Sequence, residues 1–333
     1  MEKTSSSIFV LLVLAAFVPC GARAQSSASP VSAPAAPGDL VNAFHAAFGE
    51  HHARAVHTKG IILEGDFTPD PQAATLTKAS HLQSQPSRVL VRFSDFTGIP
   101  TIPDNTVSAS PRGLAIRFTT PDGANTDVVC HTFNGFPVST NDDFRLLLLS
   151  IAASGSPDAA KPTALDHFLD THPRAKTFLT TQPLPASWAT TAYFGVNSFK
   201  FTNRRGEDHF VRYQFVPTLG EKYLTPDELT KKDPEFLSAD IKERVAKGSF
   251  GFKFYAQVAD AGDDVADPAV AWPDSRRRVA LGTVRIDRLA ANTPEQDRAT
   301  WFNPGNLPAG IEMADDMVRL RAAAYPISLK ERQ

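Results

Sequence analysis

The stretch Trp301-Phe302-Asn303-Pro304-Gly305-Asn306-Leu307-Pro308-Ala309-Gly310-Ile311-Glu312, together with the segment running on to Tyr325-Pro326, decides how this chain is read. Its first half, rich in proline, glycine and asparagine, excludes regular structure and predicts a loop. The second half is rich in helix formers and predicts a helix that stops at Pro326, because proline lacks the N–H a helix requires. On that helix Arg321 and Tyr325 stand four apart and share a face. A guanidinium beside a phenol stabilises the phenolate. A phenolate is an anionic oxygen donor suited to ferric iron, and tyrosine is one of the few side chains that hold heme iron. Taken alone, such a pair more often only decorates a helix, so the remainder of the chain has to decide.

Upstream, residues 88–94 alternate strongly enough to predict a half-buried strand, with Arg92 interrupting the apolar neighbours. An inward-facing arginine needs an anionic partner, since a buried unpaired charge is very costly. Pro111-Arg112-Gly113 opens a strand over 114–118, and Pro121-Asp122-Gly123 turns it into another over 127–133. Residues 193–202 and 209–216 read as a hairpin, and 251–258 and 279–286 as two more strands. Asp39 is expected to cap a helix over 40–48 that Gly49 ends, and Thr140 a helix containing Phe144. About seven or eight consecutive antiparallel strands, with helices gathered towards the ends, predict the α+β class: a closed antiparallel β-barrel with helices around it. There is no internal repeat, phosphate-binding glycine loop or zinc-type spacing.

The 333 residues are 42% hydrophobic and 21% charged, and the formal charge of −2 removes any electrostatic case for nucleic acid. Phenylalanine is in excess, 23 against 5 tyrosines and 3 tryptophans, which suits a large apolar cavity or, as the favoured reading, a dry core. Lys3, the apolar run 8–18 and Ala22-Arg23-Ala24 have the form of a secretion signal cleaved after Ala24. The run is too short to span a bilayer. The expected organisation is a leader over 1–24, a linker over 25–38 and one domain over 39–333, exported to a periplasm. Losing Cys20 with the leader leaves Cys130 alone, so no internal disulfide is expected.

Arg54-Ala55-Val56-His57-Thr58-Lys59-Gly60 places a histidine where a loop enters the apolar Ile61-Ile62-Leu63, with an arginine three residues before it. A lone histidine is more often structural than catalytic. This run, the Val91-Arg92-Phe93-Ser94 and Pro111-Arg112-Gly113 segments, and the stretch from Pro304 through Arg321 to Tyr325-Pro326 resemble, in order, three motifs of the heme catalase family. The resemblance covers about residue 50 onwards.

That resemblance implies heme b as cofactor and a role for each matching residue. His57 would be the distal acid–base, with Ser94 holding its other ring nitrogen. Arg54 and Arg92 would pair with the heme propionates, and Phe144 would stack on the heme plane. Tyr325 would be the fifth iron ligand, kept ionised by Arg321. Asp315 matches the acidic residue that orients this arginine, but the neighbouring family histidine is replaced by Asn197.

Three further departures stand out. The family's distal asparagine falls on His131, with Asn134 nearby; its channel aspartate falls on Ser110, and a small apolar channel residue on Phe96. A channel without that charge suits an organic hydroperoxide better than hydrogen peroxide. The sequence ends at Gln333, before the family's C-terminal helical region. These features resemble the small exported catalase-related peroxidases, which imply reduction of organic hydroperoxides with a small electron donor and little catalase activity. The alternatives are a true catalase, a hydroperoxide isomerase or dehydratase of the same fold, and a non-enzymatic heme carrier. A monomer or a homo-oligomer is equally compatible with the sequence, and neither nucleic acid nor membrane insertion is expected.

Overall fold

In the computed structural model of the chain, which describes residues 34–120, 123–291 and 293–332, the alternating stretches become strands in chain order. They are β1 (Gly60–Pro69), β2 (Ser87–Ser94), β3 (Gly113–Thr119), β4 (Asn125–His131), β5 (Tyr193–Thr202), β6 (Asp208–Pro217), β7 (Phe250–Val258) and β8 (Arg278–Leu289). Each pairs antiparallel with the next, except that β4 reaches β5 only through His131↔Phe194. β8 returns to β1, so the ring is closed and leaves no long edge exposed. A short ninth strand, β9 (Ile311–Met313), adds to β5 from the loop that the sequence predicts as wholly irregular.

The phenylalanine excess goes largely into the barrel. Phe67, Phe93, Phe118, Phe215, Phe252 and Phe254 are fully buried there. Phe215 stacks on Phe254 at 4.2 Å, and Phe67 meets Phe118 edge-on at 5.0 Å. Such pairs contribute about 0.5–1.5 kcal/mol each beyond the area they bury.

The helices are α1 (Pro37–Phe48), α2 (Asn141–Ser154), α3 (Ala164–Thr171), α4 (Pro173–Thr180), α5 (Pro226–Thr230), α6 (Phe236–Lys247), α7 (Thr293–Ala299) and α8 (Asp316–Lys330). They are not gathered at the ends as expected. α2 to α4 form the β4–β5 connection and α5 and α6 the β6–β7 connection, because those long excursions cover barrel faces that a tight turn leaves open. α1, α2 and α8 pack together over a second apolar cluster that includes Leu40, Phe44, Phe136, Phe144, Leu147 and Met317. Among the described residues no helix is long and apolar enough to cross a membrane.

Two helix ends differ from expectation. α1 begins at Pro37, and Asp39 is its third residue rather than its cap; its carboxylate accepts from Ala36 N–H at 3.0 Å. Proline at a first helical position is pre-organised for the turn, which moves the start upstream. α8 does not stop at Pro326 but runs through it to Lys330. Proline leaves the carbonyl four residues earlier, Ala322 O, without its helical donor. Asn303 Nδ2 supplies one instead, at 3.2 Å. Pro121 and Asp122 of the expected turn, and the whole expected leader, lie outside the described residues.

The 301–310 loop is tied to the barrel by backbone bonds, Thr202 N–H to Gly310 O at 2.9 Å among them, and by an ion pair. Arg117 grips Asp127 through two bonds of 2.8 Å, and Asp127 accepts from Asn303 N–H at 3.0 Å.

Candidate active site

All eight residues singled out in the sequence, Arg54, His57, Arg92, Ser94, His131, Phe144, Arg321 and Tyr325, line one cavity between the barrel and the α1–α2–α8 layer. It encloses about 1170 Å³ of empty space, part of it open to solvent. Asn134 and Ser110 do not line it.

His57 is held in the left-handed region at φ 57°, a conformation that costs a non-glycine residue energy and needs outside support. The support is dense: His57 N–H donates to Phe96 O at 2.8 Å, and His57 O accepts from Arg92 Nη1 at 2.8 Å. Its ring Nδ1 sits 3.1 Å from Ser94 Oγ. The approach is possible because residue 113 is glycine; a Cβ there would lie 2.4 Å from Ser94 Oγ and 2.7 Å from His57 Nδ1. Phe96 meets the imidazole edge-on at 5.6 Å. Fully buried Arg112 donates to Asp95 and to the carbonyls of Asp104 and Ala109, fixing the loop from which Phe96 reaches in.

Burial, and then the charges of Arg92 and Arg321, push His57 down to about 3, while a hydrogen bond to the Asp95 carbonyl acts in the opposite direction. The imidazole is therefore neutral at any physiological pH. Nδ1 is engaged with Ser94 Oγ, a hydroxyl that can donate or accept, which leaves Nε2 to the cavity.

His131 ends β4 at the barrel's closing pair. Phe133 N–H donates to its Nδ1 at 3.3 Å, which assigns the proton to Nε2. Nε2 is buried without a partner among the described residues. Burial, Arg321 and His57 hold this ring at about 3 as well. Phe178 and Phe136 flank it at 6.1 and 6.4 Å.

Arg321 and Tyr325 reach the cavity from α8. Arg321 Nη1 donates to Asn197 Oδ1, and Asn197 Nδ2 donates to Asp315 Oδ1 at 3.0 Å. Asp315 is the α8 N-cap, accepting from Val318 N–H at 2.8 Å and from Ser198 N–H at 2.7 Å. The amide of Asn197 therefore passes a carboxylate's pull to the arginine without itself being able to titrate.

The anion that an inward Arg92 requires is present in the chain. Asp297 on α7 accepts from Arg92 Nε and, at 2.7 Å, from Arg54 Nη1. Arg332, which no sequence argument singled out, also lines the cavity, and its Nε and Nη1 are buried with no partner among the described residues. It lies two helical turns beyond Tyr325, a spacing that could have flagged it. Cys130, the free cysteine of β4, lines the same wall, and burial pushes its thiol up.

These residues fit a heme. No three His, Cys, Asp or Glu side chains converge as a metal site among the described residues, so an iron here needs the rest of its ligands from a macrocycle. Tyr325 can supply an anionic oxygen, the apolar walls suit a porphyrin face, and Arg332 has unused donors for a carboxylate.

Comparison with known proteins agrees. The catalase family model matches residues 47–333. A catalase-related peroxidase of Mycolicibacterium paratuberculosis is 36% identical over 284 residues, covering 84% of this chain and 88% of its own length. Another, from Synechococcus elongatus, is 30% identical over 304 residues, covering 89% of this chain and 88% of its own. A solved bacterial catalase superposes with a TM-score of 0.74 at 22% identity, a likeness of fold, over 84% of this chain and 57% of that one. With the family model spanning most of its length and two such relatives matching nearly end to end, the chain belongs to the catalase family and is a heme peroxidase enzyme of its catalase-related kind.

Proposed function

We propose that this enzyme binds heme b and reduces organic hydroperoxides with a small electron donor, with hydrogen peroxide a poor substrate. The observation that carries the substrate class is the cavity wall: among the described residues no carboxylate lines it, and Phe96, Phe136 and Phe178 surround the two imidazoles. Such a wall solvates an alkyl or aryl group better than it orients a small polar oxidant.

Tyr325 would hold the iron, with Arg321 one turn before it on α8, and Arg54, Arg92 and Arg332 are within the set that can receive propionates. When bound, the heme supplies the redox chemistry that splits the O–O bond. The protein moves the proton. His57 Nε2 accepts the hydroperoxide's O–H proton, and His131 Nε2–H donates a hydrogen bond that orients the second oxygen. Arg92 and Arg321 disfavour a lasting imidazolium on His57. The proton is therefore handed on to the alkoxide oxygen, which leaves as a neutral alcohol. With electrons and protons from the donor, one hydroperoxide gives one alcohol and one water.

The test is direct. Hemin added to the purified protein should give a Soret band and phenolate charge-transfer bands, and turnover of cumene hydroperoxide should exceed that of hydrogen peroxide. His57→Ala should retain heme and lose about 10²–10⁴ of the turnover, the usual worth of a general acid–base group. Full activity in that variant would remove His57 from the mechanism. The donor at His131 also leaves room for hydrogen peroxide, which oxygen evolution measures. Product formed without any donor would instead identify an isomerase or dehydratase. The periplasmic location is proposed on the leader-like sequence of residues 1–24.

A further inference from the structure

Asp297 belongs to none of the motifs that pointed to the site, and α7, which carries it, contains no buried residue. Its carboxylate nevertheless takes Arg92 Nε and Nη2 and Arg54 Nη1. Its carbonyl and that of Thr300 each accept from Arg54 Nη2 at 2.6 Å. Burial raises this carboxyl, but Arg92 and Arg54 outweigh it and hold the group below the ordinary range. Both arginines line the cavity, yet their bonded donors go elsewhere: those of Arg54 to α7 and Thr300, those of Arg92 to Asp297 and to the carbonyls of His57 and Thr58. With nothing apolar to bury, α7 is fastened chiefly by these charge-assisted bonds.

Two further observations bear on what this contact does. Arg332 lies close enough to Asp297 to feel its charge but makes no bond to it, and its Nε and Nη1 stay unpartnered. Two guanidiniums thus share one carboxylate and a third stands by with unused donors, which leaves a charge that a dicarboxylate can match. Beyond α7 a separate cleft is lined by Ser238, Lys242, Thr293 and Asp297. Exposed Lys242 is there for a released carboxylate to meet.

We propose that Asp297 is an internal carboxylate occupying the anion site of Arg54 and Arg92, and that a propionate-bearing porphyrin displaces it and frees α7. The inference rests on the heme reading above. Asp297 then sets how tightly the cofactor loads, because a site closed nine-tenths of the time binds about tenfold more weakly than an open one.

The experiment titrates hemin, and separately its dimethyl ester, into apo-protein of the wild type, Asp297→Asn and Glu295→Gln, following the Soret band. Asp297→Asn should bind hemin at least about tenfold more tightly, while its affinity for the ester stays at the wild-type value. Glu295→Gln removes the same charge from an exposed position of α7 and should change neither. Hydrogen exchange on the wild type needs no variant: amides of α7 should exchange faster once hemin is bound. Unchanged or weaker hemin binding by Asp297→Asn, or α7 amides equally or better protected in the loaded protein, would overturn the displacement. A wild type that binds no hemin at all sinks the heme reading and this inference together, whereas failure confined to Asp297→Asn or to α7 sinks this inference alone.

Discussion

Gly113 is the point at which a single methyl group tests the His57–Ser94 pair. A Cβ there would stand 2.4 Å from Ser94 Oγ and 2.9 Å from His57 Cε1, distances that real side chains do not tolerate. Residue 113 begins β3 with ordinary strand pairing to Ser94 and His131, so alanine should not break the barrel. It should instead push the imidazole off its position, and a displacement of about 1 Å in a catalytic group costs roughly a hundredfold. Gly113→Ala is therefore expected to lose about that factor in kcat for cumene hydroperoxide while binding hemin as the wild type does. Hemin titration alongside steady-state kinetics checks both halves, and an unimpaired kcat would show that the pair tolerates looser geometry. The residues of the site were readable in the sequence to an uneven degree. His57, Ser94, Arg92, Arg321 and Tyr325 stand in ordered, dense motifs. Asp297 does not, because a charge's partner is decided by the fold and carries no local signature, and Arg332 is marked only by its spacing from Tyr325.

At the scale of elements, α8 and the 301–310 loop behave as one unit. Pro326 withholds a donor from Ala322 O, and Asn303 Nδ2 replaces it. Asn303→Ala should destabilise the protein by about 1–3 kcal/mol, the usual cost of stranding a buried polar group. Pro326→Ala restores an N–H to the helix, so it should be worth about 1 kcal/mol more in the Asn303→Ala background than in the wild type. Urea unfolding of the two single variants and the double variant measures that coupling; strictly additive energies would mean that the two groups do not share the carbonyl. This is also where sequence reading erred most instructively. Proline as a stop signal is sound for a helix taken alone. Here a side chain two dozen residues upstream in fold-space contact cancels the penalty. The strands were easier to read, since alternation is local, whereas the helices of the β4–β5 and β6–β7 connections were underweighted.

For the molecule as a whole, three buried neutral histidines make acid the weak side. His57, His81 and His131 are each lowered to about 3, burial being the largest cause in every case. Unfolded, they protonate near their ordinary value of about 6.5. The unfolded chain thus binds more protons as pH falls below that value, and stability present above it is lost on the way towards the folded value. Asp95, whose carboxyl burial raises against the pull of Arg112, works the other way, since the folded state then holds the extra proton. A single removal isolates one contribution. His81 lies in the barrel away from the cavity lining, its ring 5.0 Å from that of Phe118 and its Nδ1 unpartnered among the described residues. His81→Phe should gain on the wild-type apo-protein by up to about 1.4 kcal/mol for each pH unit between ~6.5 and ~4. Parallel pH profiles from urea titrations would show that this ring already charges in the native state.

With His57 and His131 handling peroxide as proposed, the sulfur of Cys130 on the same wall is open to self-inflicted damage. Only the thiolate reacts quickly with oxidants. Burial at 4% exposure and a raised thiol keep that form scarce. The barrel can thus carry a reducible atom next to its own oxidant and be consumed slowly, a durability that comes from where β4 places one side chain.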